Sequence, residues 1–258
     1  MRALVTGAAK RIGRELAIYL AIRGYDVAVH YNGSKRLADQ LVSEISEMGR
    51  KATALQADLL DEEQVIPLVS RANDALGGAL TVLVNNASIF EYDTVETATL
   101  QSWDRHIGSN LRAPFVLTQR FSQQVPDKEY DANGEPVSTS LIVNLVDQRV
   151  KKLTPEFSTY SIAKMGLWAL TTISAQGLAP KIRVNAIGPG PTLQGSRQSE
   201  SHFRKQRANT VFQRGASALD ITAALGFFLD SPAVTGQLIC VDGGQHLCWQ
   251  TPDVLGVE

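Results

Sequence analysis

Tyr160 and Lys164 are the side chains whose types and spacing are best suited to moving a proton. Residues four apart lie on one face of a helix, so the phenol and the ammonium would be neighbours there. A free tyrosine titrates near ~10, and a nearby ammonium stabilises the phenolate and lowers that pKa. The pair therefore predicts an acid–base device. The same spacing also occurs by chance in many helices, so the rest of the chain has to support this interpretation.

Short apolar segments alternate with segments of helical periodicity along the chain, and these elements must position the pair. Pro67 is expected to kink its helix and Pro114 to break its helix locally, and residues 126–138 are expected to form a surface loop. Seven strands alternating with six helices predict an α/β fold with a doubly wound parallel sheet, the Rossmann fold, in a single domain over residues 1–258. The predicted strands are 3–5, 27–29, 51–56, 80–84, 141–146, 182–187 and 238–241. The first predicted helix carries Ile12, Leu16, Ala17 and Leu20 and ends at Gly24, and the other five helices are 35–48, 61–76, 97–124, 156–178 and 218–229.

The composition of the chain is ordinary for a globular protein. Hydrophobic residues make up 44% of the 258 residues, and the formal net charge is −1, which gives no support for a nucleic-acid or anionic-membrane partner. No apolar run reaches the ~18 residues that span a bilayer, and no signal-peptide pattern is present, so we expect a cytoplasmic protein. Cys240 and Cys248 match no metal spacing. They could form one disulfide, although a reduced pair is favoured.

The turns after the first two predicted strands are suited to a dinucleotide. In residues 6–13, glycine and small side chains let the backbone approach a pyrophosphate at a helix N-terminus. A plain tight turn would also carry such residues. Residues 30–36 contain no carboxylate that would repel a 2′-phosphate, and Lys10 adds positive charge nearby, so NADP(H) is favoured over NAD(H). Lys35 and Arg36 add donors, but they equally suit a solvated helix start.

Polar residues and glycines also follow the later strands. Asp58 and residues 85–88 can hold an adenine and a ribose, because they are short polar groups at the carboxyl edge of the sheet. Asp147 follows the fifth strand. Residues 188–192 form a turn whose backbone can hold a carboxamide. Every strand end therefore carries residues that are suited to binding a dinucleotide.

With these residues assembled, the chain resembles a short-chain dehydrogenase/reductase over essentially its whole length. The resemblance is carried by Thr6-Gly7…Gly13, Asp58, Asn85-Asn86-Ala87, Asn110, Tyr160…Lys164 and Pro189-Gly190. It implies that Tyr160 is the proton donor and that Lys164 lowers its pKa while holding the nicotinamide ribose. It also implies that Asn110 supports a water that feeds protons to Lys164. The cofactor-binding residues that it implies are Gly7, Lys10, Arg11, Ile12, Gly13, His30, Tyr31, Asn32, Ser34, Asp58, Leu59, Asn86, Ala87, Ser88, Tyr160, Lys164, Pro189 and Gly190.

Two departures from the family pattern resemble one branch, the pteridine and dihydromonapterin reductases. Arg11 stands where the family usually has a glycine, and Asp147 stands where it usually has a serine. The resemblance implies that Phe90 stacks a pterin against the nicotinamide, that Ser88 contacts pterin and phosphates, and that Arg11 lies between pyrophosphate and pterin. An Asp–Tyr–Lys relay suits imine reduction, in which hydride goes to carbon and a proton to nitrogen. Gly33 replaces an arginine common in that branch, so the 2′-phosphate would rely on Ser34, Lys10 and Lys35.

Each of these residues also has a purely structural interpretation. Phe90 could be core, Asp147 a turn cap and Arg11 a partner in a surface salt bridge. The functional hypotheses are an NADPH-dependent pterin reductase, with substrate residues Arg11, Ser88, Phe90, Asp147 and Tyr160; a carbonyl reductase acting on a 3-oxoacyl thioester, sugar or steroid; and a non-catalytic NADP-binding regulator. A substrate-binding segment is expected at about 190–213, whose basic residues suit either an anionic tail or a solvated face. The resemblance further implies a homotetramer.

Overall fold

The computed structural model describes residues 1–195 and 198–251 and is built on a parallel sheet. Its strands are β1 (Arg2–Val5), β2 (Asp26–Tyr31), β3 (Ala52–Gln56), β4 (Val82–Asn85), β5 (Glu129–Tyr130), β6 (Pro136–Val137), β7 (Ser140–Leu145), β8 (Ile182–Pro189) and β9 (Leu238–Val241). Seven of them form one sheet in the order β3-β2-β1-β4-β7-β8-β9, and every neighbouring pair is parallel. The predicted doubly wound Rossmann fold is confirmed.

Helices cover both faces of the sheet, because successive residues of a strand point to opposite sides. Val5 packs in one apolar layer with Leu16 and Phe228, whereas its neighbour Leu4 packs in the other layer with Phe121. All five are fully buried. The helices are α1 (Arg11–Ile22), α2 (Lys35–Glu47), α3 (Glu62–Val65), α4 (Leu68–Leu76), α5 (Leu100–Ile107), α6 (Ala113–Gln124), α7 (Ser158–Leu178), α8 (Glu200–Ala208) and α9 (Ala218–Asp230).

Pro67 and Pro114 both interrupt the helices that the sequence predicts around them. The segment 61–76 is two helices, α3 and α4, that meet at Pro67. The segment 97–124 is interrupted by a π-helical turn, Gly108–Arg112, before α6 begins. Pro114 has no N–H group and cannot donate to the carbonyl oxygen of Asn110, four residues earlier, which accounts for the wider turn at that point.

Two segments contain more regular structure than the sequence predicted. Residues 126–138 include the hairpin β5–β6, which is held by the Asp131 carboxylate accepting the backbone N–H groups of Asn133 (2.8 Å) and Glu135 (2.9 Å). The segment 190–213 contains α8, whose first turn is capped by the Ser199 hydroxyl. Residues 196 and 197 of that segment, and residues 252–258, lie outside the described residues. Within residues 1–195 and 198–251, no helix has the length and apolar character to cross a membrane.

Candidate active site

A cleft of about 630 Å³ lies beyond the carboxyl ends of β1, β2, β4, β7 and β8. Every residue that the sequence assigned to the cofactor lines it, and so does every residue assigned to the substrate. Asn110, the remaining residue assigned to catalysis, lies directly behind the wall. Residues far apart in the sequence are brought together here because all parallel strands end at the same edge of the sheet.

The turn after β1 is held by side chains from neighbouring strand ends. The Thr6 hydroxyl accepts the backbone N–H groups of Asn86 (2.9 Å) and Ala87 (3.0 Å), and the Asn86 amide donates back to the Thr6 carbonyl (2.8 Å). Gly7 has a φ of +62°, which favours glycine. A Cβ on Gly13 would lie only 2.4 Å from the Gly7 carbonyl oxygen. The backbone is therefore pressed tightly together, as a phosphate-binding turn requires.

His30 holds this turn in place through two hydrogen bonds. Its Nδ1 accepts the Gly7 N–H (3.0 Å), and its Nε2 donates to the Ala57 carbonyl (3.1 Å). Burial lowers the pKa of His30 to about 4, so the ring is neutral near pH 7. His30 lines the cleft as predicted, and its hydrogen bonds make it a brace between β2, β3 and the phosphate turn.

The cleft fits NADP(H). Lys10 precedes α1 and Ser34 precedes α2, and neither side chain caps its helix, which leaves the first-turn N–H groups of both helices available to phosphates. No carboxylate stands between residues 30 and 36. Lys35 instead pairs with Asp39 of its own helix (2.7 Å) and is largely exposed, so Ser34 and Lys10 are the better placed partners for a 2′-phosphate.

Asp58, after β3, and the turn after β8 lie towards opposite ends of the cleft, because β3 and β8 stand on opposite sides of β1 and β4 in the sheet. The Asp58 carboxylate accepts the Leu60 N–H (2.9 Å), which fixes the backbone beside Leu59. Gly190 donates its N–H to the Val241 carbonyl (3.0 Å), and a Cβ there would lie 2.5 Å from Asp242. Gly190 is thus needed for the close approach of two chain segments.

Tyr160, Asp147 and Lys164 converge in the middle of the cleft. The Tyr160 hydroxyl donates to Oδ2 of Asp147 at 2.8 Å. Lys164 Nζ donates to the Leu145 carbonyl at 2.7 Å and lies 5.7 Å from the centre of the Tyr160 ring. Tyr160 and Lys164 are buried in α7, and Asp147 accepts the Arg149 N–H (2.8 Å) at the turn that follows β7.

The electrostatics of this group correct one prediction. A lowered pKa was predicted for Tyr160, but burial and the neighbouring Asp147 carboxylate raise it well above its ordinary value. Burial also raises the pKa of Asp147, in spite of the hydrogen bonds it accepts from Arg149 and Tyr160, and it lowers the pKa of Lys164 to about 8. Tyr160 is therefore held as a neutral phenol that can give a proton.

Asn110 holds the segment that follows β4. Its side-chain carbonyl accepts the Ile89 N–H (2.9 Å), and its side-chain amide donates to the Ile89 carbonyl (2.8 Å). The side chain is thus engaged on both sides by one backbone unit. Because Pro114 has no N–H group, the backbone carbonyl of Asn110 lacks its usual helical donor.

Phe90 is a wall of the cleft rather than core. Its side chain is 42% exposed, it stacks on Phe157 (ring centres 4.3 Å apart, planes 10° apart), and it meets Tyr160 edge-on at 4.7 Å. The Arg149 guanidinium lies over the other ring of this stack, 4.9 Å from the centre of Phe157. Phe157 was not predicted as a site residue. Its left-handed backbone (φ 58°) brings it to Phe90, and no sequence signal marks a non-glycine residue for that conformation.

Arg11 reaches across the cleft. Its guanidinium donates to the carbonyl oxygens of Gln194 (2.7 Å) and Leu193 (3.0 Å), so it ties the phosphate turn to the start of the segment 190–213. Like Phe157, it has a left-handed backbone (φ 58°) where glycine would be unstrained. These contacts are not those of a surface salt bridge, and the place of Arg11 between pyrophosphate and pterin stays a prediction.

A comparison with known protein families shows which family this chain belongs to. The sequence profile described as short chain dehydrogenase matches residues 1–205, most of the chain. The chain belongs to the short-chain dehydrogenase family. It is an NADP-dependent oxidoreductase.

Individual relatives within the short-chain dehydrogenase family cover nearly the whole chain. FolM alternative dihydrofolate reductase 1 from Brucella suis, solved in complex with NADP, is 40% identical with a TM-score of 0.90, covering 98% of each chain. Its counterpart from Brucella canis, complexed with NADP, is 38% identical with a TM-score of 0.89, covering 99% of this chain and 98% of that one. The 3-oxoacyl-(acyl-carrier-protein) reductase FabG from Staphylococcus aureus is 33% identical over 250 residues, covering 95% of this chain and 98% of the relative.

Several residues of this short-chain dehydrogenase line the cleft without having been predicted. They are Leu60, Ile89, Arg105 and Ser109, together with four neighbours of the predicted set, Ala9, Gly33, Leu145 and Val146. Arg105 pairs with Glu91 at 2.8 Å. Arg105 and Ser109 carry no motif, because they reach the cleft only through the path of α5 and the π-helical turn.

Proposed function

We propose that this short-chain dehydrogenase reduces a dihydropterin or a related bicyclic imine with NADPH. The observation that carries the proposal is the hydrogen bond between Tyr160 and Asp147, in a cleft whose wall is the ring of Phe90. A carboxyl group at this place can hold a proton as well as accept a hydrogen bond. The similarity to two FolM alternative dihydrofolate reductases supports the same substrate class.

NADPH, when bound, supplies a hydride to the substrate carbon. For this chain, the tight turn at Gly7 and Gly13 and the N-terminus of α1 would hold its pyrophosphate. Ser34 and Lys10 would hold its 2′-phosphate, because no carboxylate stands near them. Lys164, which borders the same cleft, would bind the ribose next to the nicotinamide.

Tyr160 gives the proton that the reduced substrate needs. Its raised pKa keeps the phenol protonated, and its oxygen is the acidic group beside the wall formed by Phe90. As the Tyr160 proton moves to the substrate nitrogen, Asp147 in its protonated form can pass its own proton to the Tyr160 oxygen across 2.8 Å. The raised pKa of Asp147 favours that protonated form. Lys164 stabilises any negative charge that develops on Tyr160.

Phe90 selects a flat substrate. Phe157 stacks on its ring and holds it in place, and the exposed 42% of Phe90 gives a planar heterocycle an aromatic surface to contact. The hydrogen bonds from Arg11 to residues 193 and 194 tie the start of the proposed substrate-binding segment to the phosphate turn. The proposed site therefore has an aromatic wall and a proton donor.

A ketone reductase is the second candidate. The 33% identity with FabG over 250 residues supports reduction of a 3-oxoacyl thioester, and the Tyr160–Lys164 pair would serve that reaction equally. The two functions differ in what they require of Asp147. A ketone needs only a group that orients its oxygen, whereas the proposed imine reduction uses a group that also carries a proton.

The deciding experiment follows NADPH oxidation by the purified protein with a dihydropterin, a 3-oxoacyl ester and a panel of simple ketones. We expect turnover of the dihydropterin. The variant Asp147→Ser keeps an orienting hydroxyl but cannot replace the carboxyl group as a proton carrier, so we expect it to lose about 100-fold in kcat with the pterin, the lower end of a general acid–base contribution. Turnover of ketones alone, unchanged in Asp147→Ser, would refute the pterin assignment and support the second candidate.

We also propose that the protein is a cytoplasmic homotetramer. The helices α5, α6 and α7 expose large apolar side chains, among them Leu100 (84% exposed), Phe115 (52%) and Ile173 (65%). Burying such residues against other copies would be favourable. Light scattering during size-exclusion chromatography measures the mass directly, and a mass of one chain at micromolar concentration would contradict the assembly.

A further inference from the structure

The helix that carries Tyr160 begins without a cap of its own. The residue before its first turn is Phe157, whose backbone is left-handed and whose apolar side chain cannot accept a hydrogen bond. The first N–H groups of any helix need acceptors from outside it. In α7 these groups lie in a buried part of the protein, so an acceptor has to come from another segment.

Asp93, from the chain after β4, supplies these acceptors. Its backbone carbonyl accepts the N–H groups of Phe157 (2.7 Å) and Ser158 (3.4 Å), and its Oδ1 accepts the N–H of Thr159 (3.1 Å). Its Oδ2 accepts the Thr159 hydroxyl. Asp93 is only 3% exposed. A carboxylate here performs the work of an N-cap residue, and its negative charge lies at the favourable end of the dipole of this 21-residue helix.

His106, from α5, completes the arrangement and fixes its direction. Its Nε2 accepts the Glu91 N–H (3.1 Å), so in the neutral ring the proton is on Nδ1, which donates to the Thr159 hydroxyl (2.6 Å). Thr159 must then donate to Asp93, as the geometry has it. Burial lowers the pKa of His106, and hydrogen bonds from Thr159 outweigh burial and lower the pKa of Asp93, so the ring is neutral and the carboxyl ionised.

We propose that Asp93, Thr159 and His106 form a positioning network that fixes Tyr160 and Phe90 relative to each other. Thr159 directly precedes Tyr160, and Glu91, which donates to His106, directly follows Phe90. The proton donor and the aromatic wall are therefore anchored to the same buried hydrogen bonds. The His106 ring also meets the Tyr160 ring edge-on at 6.0 Å. The proposal rests on the proposed role of Tyr160 as proton donor and requires no particular substrate.

Thr159 offers a matched pair of variants. Thr159→Val has nearly the same shape but no hydroxyl, so the His106 Nδ1–H loses its acceptor and Asp93 Oδ2 loses the Thr159 hydroxyl, whereas Thr159→Ser keeps both contacts. We expect Thr159→Val to lower kcat by about 10- to 100-fold, the scale of a misplaced reacting group, while NADPH affinity stays within about twofold. Thr159→Ser should retain kcat within about threefold of the wild type. An equal loss in NADPH affinity and kcat, or an unchanged kcat in Thr159→Val, would overturn the proposal.

Amide hydrogen exchange tests the same network without any turnover. Asp93→Ala removes the cap, and we expect the amides at the start of α7 to exchange about 10-fold faster while the later turns of α7 stay unchanged. Asp93→Asn, which keeps an acceptor for the Thr159 N–H, should exchange less rapidly than Asp93→Ala. If the Asp93 variants do not fold, exchange in Thr159→Val decides instead. Unchanged exchange at the start of α7 would refute the network, and inactivity of the wild type on every test compound would refute only the proposed substrate.

Discussion

In the half of the cleft formed by the turns after β1, β2 and β4, buried polar side chains hold the backbone. Thr6, His30 and Asn86 all bond to main-chain groups there, and Thr6 and His30 are almost fully buried. In the other half, partly exposed aromatic rings pack against each other. Phe90 stacks on Phe157, and Tyr92, which is 57% exposed, meets Phe157 edge-on at 5.2 Å.

The difference shows how one fold can keep its cofactor and change its substrate. The first half recognises phosphates with backbone N–H groups, so its side chains serve mainly to fix the backbone. The second half would recognise a ring with side-chain surfaces, which substitution alters directly. Tyr160 stands at the boundary between the two halves. The following variants test this division, beginning with the largest expected effect.

Replacing Tyr160 by Phe should give the largest loss. The variant removes the phenol O–H that donates to Asp147 but keeps the ring beside Phe90. We expect kcat to fall by about 1,000-fold, within the range of general acid catalysis, while NADPH affinity stays nearly unchanged. Steady-state kinetics and NADPH fluorescence titration check the two parts. Full activity in Tyr160→Phe would show that the proton comes from another group.

Gly13→Ala should weaken NADPH binding by disturbing only the cofactor half of the cleft. The added Cβ would lie 2.4 Å from the Gly7 carbonyl oxygen and 2.5 Å from the Asn86 amide nitrogen, so the phosphate turn must shift. We expect NADPH affinity to fall by about 100-fold, because a shift of about 1 Å costs that much in such sites. Gly177→Ala, where a Cβ meets nothing within 4 Å, is the control. Equal affinities in both variants would contradict a rigid cofactor half.

The buried Lys164 should give an alkaline limit to activity. Its pKa is about 8, so at higher pH the ammonium is lost and kcat/KM for NADPH, which reports the free enzyme, should fall about tenfold per pH unit. The sign follows from the lowered pKa, because the charged form is present only below it. In Lys164→Arg the charge persists to a pH above ~12, so the limit should disappear even though activity is reduced. A profile that stays flat to pH 10 would contradict this role.

Phe90→Leu should sharpen the division by affecting the substrate half alone. Leucine keeps an apolar side chain but loses the ring that stacks on Phe157. We expect kcat/KM for a dihydropterin to fall about fivefold, the scale of one aromatic contact, with NADPH affinity unchanged. Phe90→Tyr, which keeps the ring, should stay close to the wild type. A loss of NADPH affinity in Phe90→Leu would show that the halves are not separate.

Arg11 joins the halves and should give the smallest effect. Arg11→Lys keeps a positive charge but cannot bond two carbonyl groups at once, so residues 193 and 194 would be held less firmly. Because the guanidinium is exposed, we expect KM for the substrate to rise only about threefold. Arg11→Gly, which suits the left-handed backbone, separates backbone strain from the loss of the side chain. Equal KM values in the wild type, Arg11→Lys and Arg11→Gly would show that the contacts of Arg11 with residues 193 and 194 do not affect substrate binding.

The sequence by itself determined the parallel sheet and the cofactor half of the cleft. Short apolar strands such as residues 82–85 are readable because buried parallel strands are continuously apolar, and the residues directly after them must meet at one edge of the sheet. For this reason Gly7, Asp58 and Asp147 could be assigned to the site from their positions after strands. All of them line the cleft.

Only the tertiary structure decided the substrate half and the charge states. Phe157 and Arg11 reach their partners through left-handed backbones, and Asp93 caps a helix that starts 65 residues later in the chain. Sequence spacing carries no information on such contacts, because they depend on how separate segments pack. The pKa of Tyr160 was predicted in the wrong direction for the same reason. A neighbouring lysine could be read from the spacing, but burial and the Asp147 carboxylate, which outweigh it, exist only in the folded chain.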